Sequence, residues 1–253
     1  MRSFRDALRN RANRSDVYSK PDFWEWKAKT FQGSAVSMFA NRNLNARYEQ
    51  VQFRFIDQVL GDVADCDVLD VGCGTGRLSR HLADRGARVR AFDFAPAAVE
   101  IARRENGSRS ITVDVMSVLH FSEEAAYDHI AVLGCLSAAC KNEADLENAL
   151  QRLYRALRPG GRMAMIEPFH KGFLHRVLDM SVDNVIKVMQ AKGFVITDRA
   201  ELHFWPARLV LSPFEWPRWI TSASDSIGEA IIGMTGNRFG LGDYKGIGAR
   251  RSE

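Results

Sequence analysis

From residue 67 onward, short apolar runs alternate with longer stretches whose apolar positions recur every three or four residues. The runs "DVLDVGC" (67–73), "RVRAFDF" (88–94), "SITVDV" (110–115), "DHIAVLGC" (128–135), "RMAMIEP" (162–168) and "FVITDRAELHF" (194–204) are rich in residues that pack well on a pleated surface and read as strands. Between them the spacing predicts a helix over 75–85 stopped by Gly86, one opening at Pro96, one over 143–157 and one over 181–192 closed by Gly193. Leu146, Ala149, Leu150, Leu153 and Leu157 share one face of the third of these. "RPGG" (158–161) predicts a turn, and "YKGIGARR" (244–251) a seventh strand. Strands alternating with helices predict an α/β fold with a mostly parallel sheet and helices on both faces.

Two segments fall outside the alternation. The pattern divides the chain into an N-terminal helical extension or lid (1–60), a core (61–205), an insertion on the substrate side (206–243) and a last strand returning to the core sheet (244–253). Trp24, Trp26, Phe204, Trp205, Phe214, Trp216 and Trp219 lie in or beside the two outlying segments, either as walls of an apolar pocket or as ordinary core.

Composition narrows the class. At 253 residues, with 46% hydrophobic and 26% charged positions, the chain suffices for one full α/β core plus appendages, and no apolar run is long enough to suggest a membrane span. Cys66, Cys73, Cys135 and Cys140 form no CxxC pair and the start carries no apolar signal core, so a reducing, cytoplasmic setting is expected. The formal charge of +4 is matched by residues 1–14 alone, where Arg2, Arg5, Arg9, Arg11 and Arg14 face one Asp6. A weak membrane-surface contact is expected of that arm at most, and the balanced remainder makes nucleic acid a poor candidate partner. Oligomeric state is not readable from the pattern.

The candidate chemistry begins at the first predicted strand. Gly72, Gly74 and Gly76 form a turn that lets a ligand approach the backbone closely, at the edge of the sheet where α/β folds bind ligands. Their spacing is G-x-G-x-G, whereas a dinucleotide fingerprint is G-x-G-x-x-G. Asp70, two residues before the turn, would repel a pyrophosphate but pair with an ammonium. Asp93, ending the second strand, is placed to accept both hydroxyl protons of a ribose. Together they describe a site for an adenosine compound with a positively charged amino-acid tail.

With "LDVGCGTG" (69–76), "FD" (92–93), "VDV" (113–115) and "LYRALRPGGRMAMIEP" (153–168) in this order, the sequence resembles the class I S-adenosylmethionine-dependent methyltransferases over residues 45 to 200. The resemblance implies a Rossmann-like seven-stranded sheet and S-adenosyl-L-methionine as cofactor, with S-adenosyl-L-homocysteine as product. It also implies residue roles: Asp70, Gly72 and Gly74 around the methionine portion, Asp93 on the ribose, Phe94 against the adenine, and Asp114 with the Val115 backbone at the adenine edge. Leu133 and Gly134 would pass beneath the sulfonium.

The implied reaction is methyl transfer to a small molecule, with an aromatic, quinone-like or sugar hydroxyl as the leading acceptor. A hydroxyl must lose a proton, and His170 and His203, which follow or end strands at the ligand edge, are the candidate bases. His81 and His129 lie away from that edge and are expected to be structural, and His120 falls in a connector. No metal-ligand spacing stands out, so metal-independent transfer is expected. Arg47, Lys171, Arg176 and Arg208 are either binders of an acidic substrate or solvated charges. An RNA-modifying enzyme and a catalytically silent cofactor-binding regulator remain as alternatives.

Overall fold

A computed structural model describes residues 17–31, 39–235 and 240–253 of the chain. The arginine-rich arm of residues 1–14, and with it the expected membrane-surface contact, lies outside the described residues.

Seven strands form one sheet: β1 (Asp67–Val71), β2 (Arg88–Asp93), β3 (Ile111–Val115), β4 (Tyr127–Leu133), β5 (Leu157–Glu167), β6 (Phe194–Phe204) and β7 (Gly242–Arg251). Their order across the sheet is β3-β2-β1-β4-β5-β7-β6. β1 to β5 pair in parallel, and β7 runs antiparallel between β5 and β6. This is the expected Rossmann-like seven-stranded sheet, and the order reverses direction between β1 and β4, where open α/β sheets form a crevice.

The helices are α1 (Pro21–Thr30), α2 (Arg42–Leu60), α3 (Arg77–Asp84), α4 (Pro96–Glu105), α5 (Leu136–Ala139), α6 (Glu143–Ala156), α7 (Val182–Ala191), α8 (Trp205–Leu211) and α9 (Arg218–Met234). On α6 the face predicted from spacing is buried, and Asn142 caps its first turn by accepting from the Asp145 amide at 2.9 Å. Ser181 likewise caps α7. Two apolar clusters result, one centred on α6 and α7, the other joining α2, α3 and α4 to the opposite sheet face.

Two local readings need correction. The helix expected over 75–85 begins at Arg77, because Gly76 is left-handed (φ 76°) and acts as its N-cap. "RPGG" does not end an element: β5 runs through it. Pairing steps from Tyr127↔Leu157 to His129↔Arg162, so β5 advances five residues while β4 advances two. The surplus bulges out, and Arg158 ties it back by pairing with Asp67 at 3.0 Å and Asp128 at 2.7 Å.

The N-terminal extension and the insertion pack on each other. At the start of α2, its N-cap Asn41 donates to the Leu211 carbonyl at 3.0 Å and Asn43 to the Trp216 carbonyl at 3.0 Å, while Arg47 pairs with Asp225 of α9 at 3.1 Å. α2 in turn lies against β7, where Gly246 makes room: a Cβ there would stand 2.8 Å from the Phe55 ring. Among the described residues, no helix is long and apolar enough to cross a membrane.

Candidate active site

The turn after β1 opens into a cavity of about 120 Å³ at the ligand edge of the sheet. Asp70, Gly72, Gly74, Asp93, Phe94, Leu133 and Gly134 all line it.

The turn is built by close approach. Gly72 has φ 70°, and a Cβ on it would stand 2.5 Å from both Cβ and Sγ of Cys135. Any side chain at 72 would therefore both strain the backbone and displace the loop after β4. Gly72 and Cys73 donate to the Phe92 carbonyl at 2.9 and 3.0 Å, which draws the turn against the end of β2. Gly74 donates to Asp93 Oδ2 at 2.9 Å, while Asp93 Oδ1 accepts from the Ala95 amide at 2.9 Å. Each Asp93 oxygen keeps a free lone pair for a hydroxyl donor. Burial raises the Asp93 pKa, and the amides of Ala95, Gly74 and Phe94 oppose that by stabilising the carboxylate.

Asp70 has a different environment. It is buried, receives the Ser79 hydroxyl at 2.5 Å, and has its pKa lifted to about 7, first by burial and then by the nearby Asp93 charge. A cationic ligand group would supply a counter-charge that none of the described residues gives.

A third carboxylate was not singled out by sequence. Glu167, at the end of β5, is fully buried and accepts from the amides of Cys135 (2.6 Å), Leu136 (2.7 Å) and Ser137 (3.1 Å). It fixes the loop after β4, and so the cavity wall at Gly134 and Cys135. Burial raises its pKa against the pull of these donors. Its place in "IEP" was visible, but its amide partners lie 30 to 32 residues away in sequence. Trp24, Gln52, Phe53, Arg77, Arg176 and Tyr244 also reach the cavity. Trp24 arrives on α1, which is anchored where Glu25 accepts from the Ala97 amide at the start of α4 (2.8 Å).

Several predicted site residues stand elsewhere. Gly76 does not line the cavity; a Cβ there would come within 3.1 Å of Ala102 Cβ, so its smallness lets α3 pack against α4. Asp114 and the exposed Val115 lie beyond the lining, and the Asp114 carboxylate is paired with Arg90 at 3.2 Å. His170 is turned away: its Nε2–H donates to the Asp243 carbonyl at 2.8 Å, and burial lowers its pKa. His203 is fully buried, stacked on Tyr48 with ring centroids 3.5 Å apart, and its pKa falls to about 3 because burial disfavours the imidazolium. Neither candidate base lines the cavity.

His203 also lies near Asp225 and Glu229, with one ligand-type atom from each within 4.8 Å of the others. The Arg47 guanidinium on Asp225 already brings positive charge into that group. His81 pairs with Asp57 at 2.9 Å and His129 sits within β4, both in structural settings. Of the predicted aromatic wall only Trp24 faces the cavity; Phe214 and Trp219 are 65% and 73% exposed on the insertion.

Comparison with known proteins agrees with this geometry. Residues 68–161 match the family described as a methyltransferase domain. A malonyl-[acyl-carrier protein] O-methyltransferase from Salmonella typhimurium is 37% identical over 100 residues, 38% of this chain and 37% of that one. A ubiquinone biosynthesis O-methyltransferase from Alkalilimnicola ehrlichii is 28% identical over 192 residues, 72% of this chain and 69% of that one. The chain spans 37% to 46% of the length of the first curated relatives it matches. In fold it is similar to the N-methyltransferase NodS from Bradyrhizobium japonicum, whose structure contains S-adenosyl-L-homocysteine, with a TM-score of 0.63 at 16% identity over 94% of this chain and 100% of that one. Residues 68–161 thus match a methyltransferase domain, and the fold is similar to that of a solved methyltransferase over 94% of the chain.

Proposed function

We propose that this chain transfers a methyl group from S-adenosyl-L-methionine to a small-molecule acceptor, with an acceptor oxygen as the leading target. The observation that carries this reading is the convergence of Asp70 and Asp93 on one cavity across the Gly72–Gly74 turn. The residues fit the cofactor. Asp93 holds two backbone amides and retains acceptor capacity for a ribose diol, and buried Asp70 is paired with no cation among the described residues.

When bound, the cofactor supplies an activated methyl on a positively charged sulfur, so the protein's task is alignment and exclusion of water. Gly72 and Gly134 let the backbone approach from below, each with positive φ. Glu167 holds the loop carrying Cys135 in one position. Phe53, Phe94 and Trp24 provide apolar surface above the turn. The names of the two relatives favour oxygen as acceptor atom. No histidine lines the cavity, which favours acceptors acidic enough to arrive ionised or to lose their proton to water.

Incubation with methyl-labelled S-adenosyl-L-methionine and a panel of catechols, hydroxyquinols and hydroxybenzoates tests the reading. Labelled ether or ester product, absent in Asp93→Ala, is expected. Cofactor binding without turnover on any oxygen, nitrogen or carbon acceptor would favour a regulatory protein instead.

A further inference from the structure

Arg176 enters the cavity from the segment between β5 and α7, and its surroundings are unusual for a cation. Its guanidinium is half-buried, lies 5.4 Å from the Tyr244 ring centroid and donates to the Tyr244 hydroxyl at 2.8 Å. Among the described residues it makes no ion pair. The two carboxylates that most affect it are committed elsewhere: Asp243 to Arg208 at 2.8 Å, and Glu167 to three backbone amides. Arginine carries five N–H donors in a planar fork that matches a carboxylate, and the hydrogen bond to the Tyr244 hydroxyl restrains one arm of that fork. A half-buried guanidinium held by one hydrogen bond, with no ion pair among the described residues and facing a ligand cavity, is a site for an anion.

Arg176 reaches the cavity from the side of Tyr244 on β7. Tyr244 stands beside Gly134 at the end of β4, with its ring 3.9 Å from where a Gly134 Cβ would be. The expected methionine end lies at the β1 turn, where Arg77 of α3 also reaches the cavity. Resting on the methyltransferase reading above, we infer that Arg176, oriented by Tyr244, binds a carboxylate or equally acidic oxyanion of the methyl acceptor, so that the substrate class is an acidic, apolar-bodied small molecule. Phe53 and Trp24 accommodate the apolar body.

The test uses the full chain saturated with S-adenosyl-L-homocysteine, titrated calorimetrically with 4-hydroxybenzoate and with its neutral counterpart 4-hydroxybenzamide. The acid is expected to bind at least tenfold more tightly than the amide, and Arg176→Gln to remove that preference while leaving S-adenosyl-L-homocysteine affinity within threefold. Tyr244→Phe, which keeps the ring and deletes the hydroxyl, should weaken the preference only in part. Equal binding of acid and amide, or no binding of either, overturns the inference. It also falls if Arg176→Gln weakens S-adenosyl-L-homocysteine tenfold but not 5′-methylthioadenosine, because Arg176 would then hold the cofactor's carboxylate. Failure of the wild-type chain to bind S-adenosyl-L-homocysteine at all is a separate result, which overturns the underlying reading.

Discussion

The Ser79 hydroxyl donates to Asp70 Oδ2 at 2.5 Å, linking the first helix after the glycine turn to the strand before it. This bond satisfies one oxygen of a carboxylate that burial holds near a pKa of 7. At neutral pH the site is therefore poised to ionise when a cation arrives. Affinity for S-adenosyl-L-homocysteine should rise with pH up to about 7 and level off above it, falling about tenfold or more between pH 7.5 and 5.5. Calorimetry across that range checks the slope; a flat profile in the wild type would mean that Asp70 does not meet the ammonium.

The same shift has a stability consequence of opposite sense. A carboxyl whose folded pKa is raised contributes stability that is fully present below its ordinary value of 3.8 and lost as pH rises through about 7. Asp70→Asn should thus raise Tm at pH 8 by several degrees, at roughly 2–4 °C per kcal/mol for a chain of this size, with the gain vanishing near pH 4. Cofactor binding should be lost in the same variant. Thermal melts at the two pH values decide it.

Gly72→Ala should be severe. Its Cβ would stand 2.5 Å from Cys135 atoms at a backbone φ of 70°. Loss of S-adenosyl-L-homocysteine binding by at least a hundredfold is expected, together with a Tm lowered by several degrees. Gly160→Ala, also at positive φ (74°) but with nothing near its Cβ, should leave binding unchanged and so separates local crowding from backbone strain.

Glu167→Ala removes the acceptor of three amides in the loop after β4. A destabilisation of about 3 kcal/mol is expected, read by denaturant unfolding, because buried donors left without a partner cost about 1–3 kcal/mol each and part of that cost will be met by water. Glu167→Gln, which retains one acceptor oxygen, should lie between the two.

His203→Phe should keep methyl transfer within about threefold and hold or raise Tm. The imidazole is sealed against Tyr48 with neither ring nitrogen hydrogen-bonded, so an isosteric apolar ring relieves an unsatisfied group. A hundredfold loss of turnover with intact cofactor binding would restore His203 as the base.

The parts legible in sequence are those determined over short spans. The strand-helix alternation, the capped α6 and the turn from Asp70 to Gly74 are each set by residues a few positions apart, and Asp93 follows from a strand ending beside that turn. Gly76 has the type expected of a binding glycine, yet its use is decided by Ala102 of α4. A regular strand end would bring His203 to the ligand edge. The chain instead turns to φ 65° there, pairing skips from Leu202↔Tyr244 to Phe204↔Gly242, and the inserted α9 brings Glu229 against it. Arg176 and Tyr244 lie 68 residues apart, and only the antiparallel return of β7 beside β5 unites them. Nothing local marks such a pair.

Titration of the full chain with S-adenosyl-L-homocysteine at pH 8, with NAD and Asp93→Ala as controls, tests the central assignment most directly. The geometry predicts one site per chain for S-adenosyl-L-homocysteine, no heat with NAD, and at least a tenfold loss of affinity in Asp93→Ala, since charge-assisted hydrogen bonds are worth about 1.5–3 kcal/mol. Unchanged affinity in Asp93→Ala, or binding of NAD alone, would contradict it.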